Sequence, residues 1–463
     1  MRFTKSLYVS LLPFFCLTAC GETQPKQSGL SSEDSIASEE GGLPLWEETD
    51  CFSYHFSNQS KDTMPIGAWC SPVGDYITDA QYALLKESGL NAIYGLYETW
   101  TGNSNQVIQS MGCAAKQGIS YLVRDQEIVL TADDGAEAFQ TRMEHYANRD
   151  SFAGVLCRDE PGMNSFDILA KARKMFTRYY PDALFYVNLF PNYASSVQLE
   201  NANTAEPTRE VTYEEYVDTY LAKVQPDMIS YDYYPFNNKH QIADSYFENL
   251  SLIAKKAHQY KIPFWPFIQA DEFGGSSRIP TKQEMMWQVN TSLLFGAKGI
   301  QYFCYFTPTE FSAKGYGGNF ISATGQKTEI YDYAKGINAQ IACMDEALMR
   351  STLVAKMMYG ASVAKLPESE VEAMLTSWRE LKSVSTNDDL LIGCFDSDGK
   401  SLLFVMNNSL EDKADATLNF TTEIEANLYR TTKEEIKGNS YALSLEAGDA
   451  ALIEITNYQK GRR

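Results

Sequence analysis

The feature that most constrains this chain is a rhythm. Between about residue 64 and residue 350 of its 463, a short apolar run gives way to an amphipathic stretch, again and again. The runs are Met64–Trp69, Asn91–Tyr97, Ile119–Val123, Phe152–Cys157, Ala183–Val187, Asp227–Tyr231, Ile262–Ile268 and Gly299–Phe306. Most are nearly continuous in apolar residues rather than alternating, the pattern of a parallel strand buried on both faces. Between them lie helix-period stretches: Thr78–Ser88 (with Thr78 or Asp79 as cap), Asn105–Gln117, Asp133–Ala147, Phe166–Tyr179, Glu214–Val224, Ser245–Tyr260, Lys282–Phe295 and Tyr331–Met349. Phe166–Tyr179 shows the spacing, with Ile168, Leu169, Ala172, Met175 and Phe176 on one face. Eight strand–helix units in this length predict an α/β chain folded as a (β/α)8 TIM barrel over residues 46–350. A doubly wound open sheet would place a glycine-rich phosphate turn after its first strand, and Gly67-Ala68-Trp69-Cys70-Ser71 is not one.

After about Ser351 the texture changes to short strands such as Leu390–Phe395, Ser401–Met406, Ala416–Phe420, Ala426–Tyr429 and Ala450–Ile455. Asp398-Gly399, Asn407-Asn408 and Gly438-Asn439 supply turn chemistry between them. Residues 351–463 are therefore expected to form an antiparallel β-sandwich. It has no dense aromatic platform, so a supporting role is expected of it.

The start of the chain reads as an address. Arg2 and Lys5 precede an apolar stretch from Leu7 to Leu17, too short for a membrane span and suited to a secretory signal over residues 1–20. Leu17-Thr18-Ala19-Cys20-Gly21 closes it and resembles a bacterial lipobox, which implies lipidation of Cys20 and an anchor in the cell envelope, at the outer membrane or cell surface. Residues 21–45, rich in Ser, Gly and acid, are expected to be a disordered tether. Without Arg2 and Lys5, 37 of the 39 basic residues face 60 acidic ones. So acidic a surface repels nucleic acid and anionic lipid, which leaves the lipid anchor as the expected membrane contact.

Of nine cysteines, Cys16 and Cys20 belong to the leader, and the remaining odd number shows no C-x-x-C pair. Cys157 and Cys304 lie in apolar runs and read as buried hydrophobes, while Cys51 with Cys70 could bridge. The four histidines, His55, His145, His240 and His258, lack ligand spacing. No metal or other cofactor is expected, and the chemistry falls to carboxylates.

Those carboxylates gather at predicted strand ends, the working face of such a barrel. Asp159 and Glu160 follow the fourth strand, stopped by Pro161. Trp69, Glu98, Arg124, Asp125, Asn188, Asp232, Tyr234, Gln269, Asp271, Glu272 and Tyr305 end the others. Locally, Asp159-Glu160 reads equally as a solvated turn or a helix cap, and Arg124 with Asp125 as a structural ion pair. Acids, amides and rings together at one barrel end suit a carbohydrate: rings stack on pyranose faces, amides and carboxylates bind hydroxyls, and two carboxyls work the scissile bond.

Arg158-Asp159-Glu160-Pro161 resembles the Asn-Glu-Pro of the retaining barrel glycosidases, the clan that includes the family 42 β-galactosidases. Trp287–Phe303 is similar to the passage into strand eight of β-galactosidase-like proteins, and Gly325–Asn338 to their run into the last helix. The likeness spans about Met64–Arg350. It implies a glycoside hydrolase cleaving O-glycosidic bonds, with Glu160 as general acid/base and Asp159 in place of the asparagine that binds the sugar 2-hydroxyl. The clan's nucleophilic glutamate belongs at the end of strand seven, where this chain has Gln269. The second carboxylate is then either Glu272, three residues on, or Asp232 after strand six. Substrate contacts are expected from Asp159, Trp69, Glu98, Asn188, Tyr234, Gln269, Asp271 and Tyr305. The rival expectation is a surface lipoprotein that binds glycans on a glycosidase-like barrel without cutting them.

Overall fold

The computed structural model describes residues 51–95, 104–125, 128, 135–201, 209–238, 245–272, 275–360 and 374–457. Eight parallel strands run β1 (Ile66–Ala68), β2 (Ala92–Tyr94), β3 (Ser120–Arg124), β4 (Phe152–Asp159), β5 (Leu184–Leu189), β6 (Ile229–Tyr231), β7 (Phe264–Gln269) and β8 (Ile300–Phe303). Each pairs with its sequence neighbour from β2 to β8, and β8 pairs in parallel with β1. The ring closes between β1 and β2 through Asn91 N–H to Ile66 O at 2.9 Å and Ser71 N–H to Tyr94 O at 3.2 Å. The chain is a (β/α)8 barrel followed by an antiparallel β-domain.

The helices packed outside are α1 (Asp79–Glu87), α2 (Ser104–Lys116), α3 (Ala136–Met143), α4 (Phe166–Tyr179), α5 (Tyr213–Val224), α6 (Tyr246–Tyr260), α7 (Lys282–Leu294) and α8 (Glu329–Met349). Their starts follow side-chain chemistry. Thr78 Oγ1 accepts from Gln81 N–H, Thr212 from Glu215 N–H, and Thr281 with Glu284 forms a reciprocal capping box on α7. Tyr94, Tyr186, Trp265, Phe267, Leu122 and Leu156 fill the barrel interior. A polar thread runs up through it. Tyr186 Oη and Gln301 Oε1 meet at 2.7 Å, Gln301 Nε2 donates to Ser230 Oγ at 3.0 Å, and Ser230 Oγ donates to Asn188 Oδ1 at 2.9 Å.

The C-terminal strands are β9 (Thr352–Tyr359), β10 (Leu381–Ser385), β11 (Leu390–Ser397), β12 (Lys400–Asn407), β13 (Ala414–Tyr429), β14 (Lys433–Leu445) and β15 (Ala450–Ile455). The register of β13 with β14 shifts between Asn419 and Ile424, and the two halves of the sheet enclose one core. Alternation assigns each face. Leu403 and Val405 enter that core, whereas Leu402, Phe404 and Met406 join the barrel's outer layer. Trp287 Nε1 donates to Asn408 Oδ1 at 2.8 Å and Asn290 Nδ2 to Gly448 O at 2.8 Å, tying the sheet to α7.

Two expectations are corrected here. Asp398-Gly399 is the expected two-residue turn, both residues at positive φ, but Gly438-Asn439 is not a turn. It lies inside β14, where Gly438 at φ 152 pairs with Ile424 at the register shift, so the glycine serves an irregularity in a long ribbon. Cys51 and Cys70 are both free. Cys51 donates to Met349 O from an exposed position, while Cys70 is buried at the opposite end of β1 beside the Cys304 thiol.

Candidate active site

β4 runs two residues further than its apolar run, through Arg158 to Asp159, and Glu160 N–H continues the ladder to Asn188 O at 2.9 Å. In a regular strand Asp159 and Glu160 would point to opposite faces. Glu160 instead sits at φ 44, a left-handed conformation costing about 1–3 kcal/mol for a residue with a Cβ, and does so just before a proline. The twist breaks the alternation and leaves both carboxyls in one electrostatic cluster. Tyr216 from α5 steadies the bend, donating to Pro161 O at 2.8 Å.

Asn188, ending β5, organises the cluster. Its Nδ2 donates at 3.3 Å to Asp159 Oδ1 and at 3.3 Å to Asp232 Oδ1, the acid just past β6. Because Ser230 already occupies Asn188 Oδ1, the amide can present only its donor face to the two acids. Three carboxyls therefore meet over β4–β6. Burial, then the charges of Asp232 and Asp159, pushes Glu160 well above its ordinary range. Burial and the Asp159 charge do the same to Asp232, despite its Asn188 hydrogen bond. Asp159 is raised by burial but pulled back by the Arg124 guanidinium, the Asn188 amide and Arg158. Of the three, it alone has cations in its field that work against the rise. Glu160 Oε1 is buried without a hydrogen-bond partner, a costly state in a finished protein and a useful one for an oxygen awaiting a ligand.

Rings wall the cluster. Trp69 from the end of β1 lies 6.2 Å from Phe303 of β8, Phe303 lies 6.0 Å from Tyr234, and the Tyr234 phenol feels all three acids. The Arg124 guanidinium sits 5.9 Å from the Trp69 ring centre. Tyr193, in the loop after β5, has its phenol near Asp232 and Glu160 yet is 43% exposed, so its ring stands at the rim. Phe303 and Tyr193 were not singled out in the sequence. Strand alternation could have shown Phe303; Tyr193 carries only the weak signal of an aromatic in a Pro-Asn loop.

Other expected residues are placed elsewhere. Gln269 is fully buried and its side chain is spent on backbone: Oε1 accepts from Phe236 N–H at 3.0 Å, and Nε2 donates to Phe236 O, Asp271 O and Arg278 O. Asp271 and Glu272 form a two-residue ribbon with Gly317-Gly318. Asp271 is fully buried, accepts from Gly317 N–H at 3.0 Å and is pushed well up by burial, with Tyr316 and Cys304 in its field. The Glu272 carboxylate lies against Gly317. Tyr305 is buried, its hydroxyl donating to Gln81 O at 3.2 Å on the α1 side. Asp125 pairs with Arg142 at 2.5 Å and accepts from Tyr146, so the structural ion pair joins Asp125 to α3 and not to Arg124. Glu98 and Cys20 lie outside the described residues. Among those described, no group of three or more His, Cys, Asp or Glu side chains is arranged around a metal position, and no helix is long and apolar enough to cross a membrane.

No family model and no curated protein matches the sequence. Solved structures do. A β-galactosidase from Bacillus circulans sp. alkalophilus is 9% identical with a TM-score of 0.56, covering 85% of this chain and 99% of that one. A β-galactosidase from Rahnella sp. R3 is 9% identical with a TM-score of 0.56, covering 88% of this chain and 100% of that one. A catalytic mutant of a GH42 β-galactosidase from G. stearothermophilus is 8% identical with a TM-score of 0.53, covering 87% and 99%. At such identities the likeness is one of fold: a barrel with a following β-domain, the architecture of these glycoside hydrolases.

Proposed function

We propose that this chain is a cell-envelope glycoside hydrolase that cleaves O-glycosidic bonds with Glu160 as general acid/base. The observation that carries the reading is Glu160 itself, a half-buried residue whose carboxyl has one buried, unpartnered oxygen, held in a strained bend among two further acids. A carboxyl whose proton is held more tightly by burial and by neighbouring acids, beside an aromatic wall, is suited to protonating a departing sugar oxygen. Its partner acid comes from Asp159 and Asp232, which share the Asn188 amide, rather than from strand seven. Trp69, Phe303 and Tyr234 supply the face on which a pyranose ring stacks.

Gln269 favours one rival, a barrel that binds glycans without cutting them. Glu160→Gln separates the two: the hydrolase loses turnover and keeps binding, whereas the binding protein shows no turnover to lose. The address belongs to the proposal as well. Leu17-Thr18-Ala19-Cys20-Gly21 supports lipidation at Cys20, and radiolabelled fatty acid incorporation abolished by Cys20→Ala tests it.

A further inference from the structure

A glycoside cut by an acid has two halves, and the inner wall of Trp69, Phe303 and Tyr234 seats only the one that carries C1. The other half hangs from the oxygen that Glu160 protonates and departs toward solvent. One ring stands on that way out. Tyr193 lies in the loop after β5, five residues beyond Asn188, whose carbonyl accepts the Glu160 N–H at 2.9 Å, so the loop begins beside the acid. We infer that Tyr193 is the platform for the leaving group and that this leaving group is itself a pyranose. The substrate is then an oligo- or polysaccharide, held by the inner wall on one side of the scissile bond and by Tyr193 on the other. This rests on the hydrolase reading above and names the substrate class of the same site.

Tyr193 is pinned rather than loose. Its ring meets Tyr233 edge to face at 5.1 Å and 72°, and Tyr233, the residue after Asp232, meets Tyr246 of α6 in the same way at 5.4 Å and 73°. Asn192 ties the loop down: its N–H donates to Asn249 Oδ1 at 2.7 Å and its Nδ2 to Ser245 O at 3.1 Å. The hydroxyl end of Tyr193 is turned in, against the Tyr234 backbone and near Asp232 and Glu160, while the residue as a whole stays exposed. A ring that is open to solvent yet already ordered can receive a second ring without first losing its own freedom.

The acid indicates what leaves. Fluoride or a phenol departs as an anion with little help, whereas the alkoxide of a sugar is a poor leaving group and needs a proton. A carboxyl with a buried, unpartnered oxygen beside the exit suits the second kind. As the C1–O bond breaks, the departing oxygen keeps the bonding pair and takes the Glu160 proton. Water then gives its hydroxyl to C1 and its proton to the acid cluster. Tyr193 holds the departing sugar through this step, so its stacking acts on turnover as well as on binding.

The test uses the full chain on α- and β-linked disaccharides and tetrasaccharides of glucose, galactose, mannose and xylose. Each is assayed beside the glycosyl fluoride of the same sugar and anomer, which offers no ring to hold. In the series that turns over, Tyr193→Ala is expected to lower kcat/KM on the saccharide about 10–30-fold more than on the fluoride. Tyr193→Phe keeps the ring and should hold the wild-type ratio. A ratio that Tyr193→Ala leaves as in the wild type overturns the inference, and Glu160-dependent turnover then leaves the hydrolase reading standing. Turnover of the fluorides with no cleavage of any saccharide also overturns the inference alone. No turnover of any of these substrates overturns both.

Discussion

Gln269 closes on Phe236 as one strand closes on another: its Oε1 accepts the Phe236 N–H at 3.0 Å and its Nε2 donates to the Phe236 carbonyl at 3.1 Å. The amide thereby fastens the end of β7 to the loop that carries Asp232 and Tyr234. A carboxylate there would place a charge against the carbonyls of Phe236, Asp271 and Arg278 with no room for water. Gln269→Glu is therefore expected to cost about 2–4 kcal/mol and to bring no gain in hydrolysis. Chemical denaturation with parallel activity assays checks it. A stable variant with raised activity would mean that strand seven is a nucleophile site after all.

The acid cluster sets a pH profile. Burial and the Asp232 and Asp159 charges raise Glu160, so the proton donor survives above the ordinary glutamate value of about 4.3. kcat/KM should fall on the alkaline side as pH rises through that raised value, and on the acid side as Asp159, itself raised, takes a proton. The stability sign follows. A carboxyl with a raised folded pKa contributes fully below the ordinary range, and its contribution is lost as pH climbs through the folded value. Melting temperature should decline over that window, less steeply in Glu160→Gln; a wild-type slope unchanged in the variant would contradict it.

Asn188→Ala removes the donor shared by Asp159 and Asp232 and the acceptor used by Ser230. Activity should drop about 10-fold or more, as when a donor to a reacting charge is lost. The acid limb of the pH profile should also move upward, because Asp159 loses a group that favours its anion. A merely structural asparagine would lower stability without moving that limb.

Barrel and β-domain are expected to unfold together. Gly448 at φ 70 presses against α7, where an added Cβ would lie 2.4 Å from Gln283 O and 3.0 Å from Trp287 N. Gly448→Ala should cost about 2–3 kcal/mol through strain and overpacking. A single calorimetric transition shifted downward checks this; two separated transitions would contradict it.

Much of this was legible in the sequence, and the misses have physical causes. Continuous apolar runs announced the barrel strands because burial on both faces leaves no alternation to misread. Asp159, Glu160, Asn188, Asp232 and Tyr234, which the structure brings together, share a place at strand ends that the sequence pattern reveals. Gln269 and Tyr305 stand at strand ends too, but which way an end residue turns depends on loop hydrogen bonds that no local pattern encodes. The bend that unites Asp159 and Glu160 was hidden because glutamate before proline gives no hint of positive φ. Gly438-Asn439 misled because turns and ribbon irregularities ask for the same residues.

The central claim is that Glu160 donates the proton that frees a sugar, and Glu160→Gln tests it most directly. Wild type and variant would be assayed on aryl glycosides and a polysaccharide panel, with binding measured in parallel. The account predicts a loss of about 10²–10⁴-fold in kcat with retained binding, smallest for aryl glycosides whose leaving group needs no protonation. Full turnover by the variant, or binding without turnover by the wild type, would contradict it.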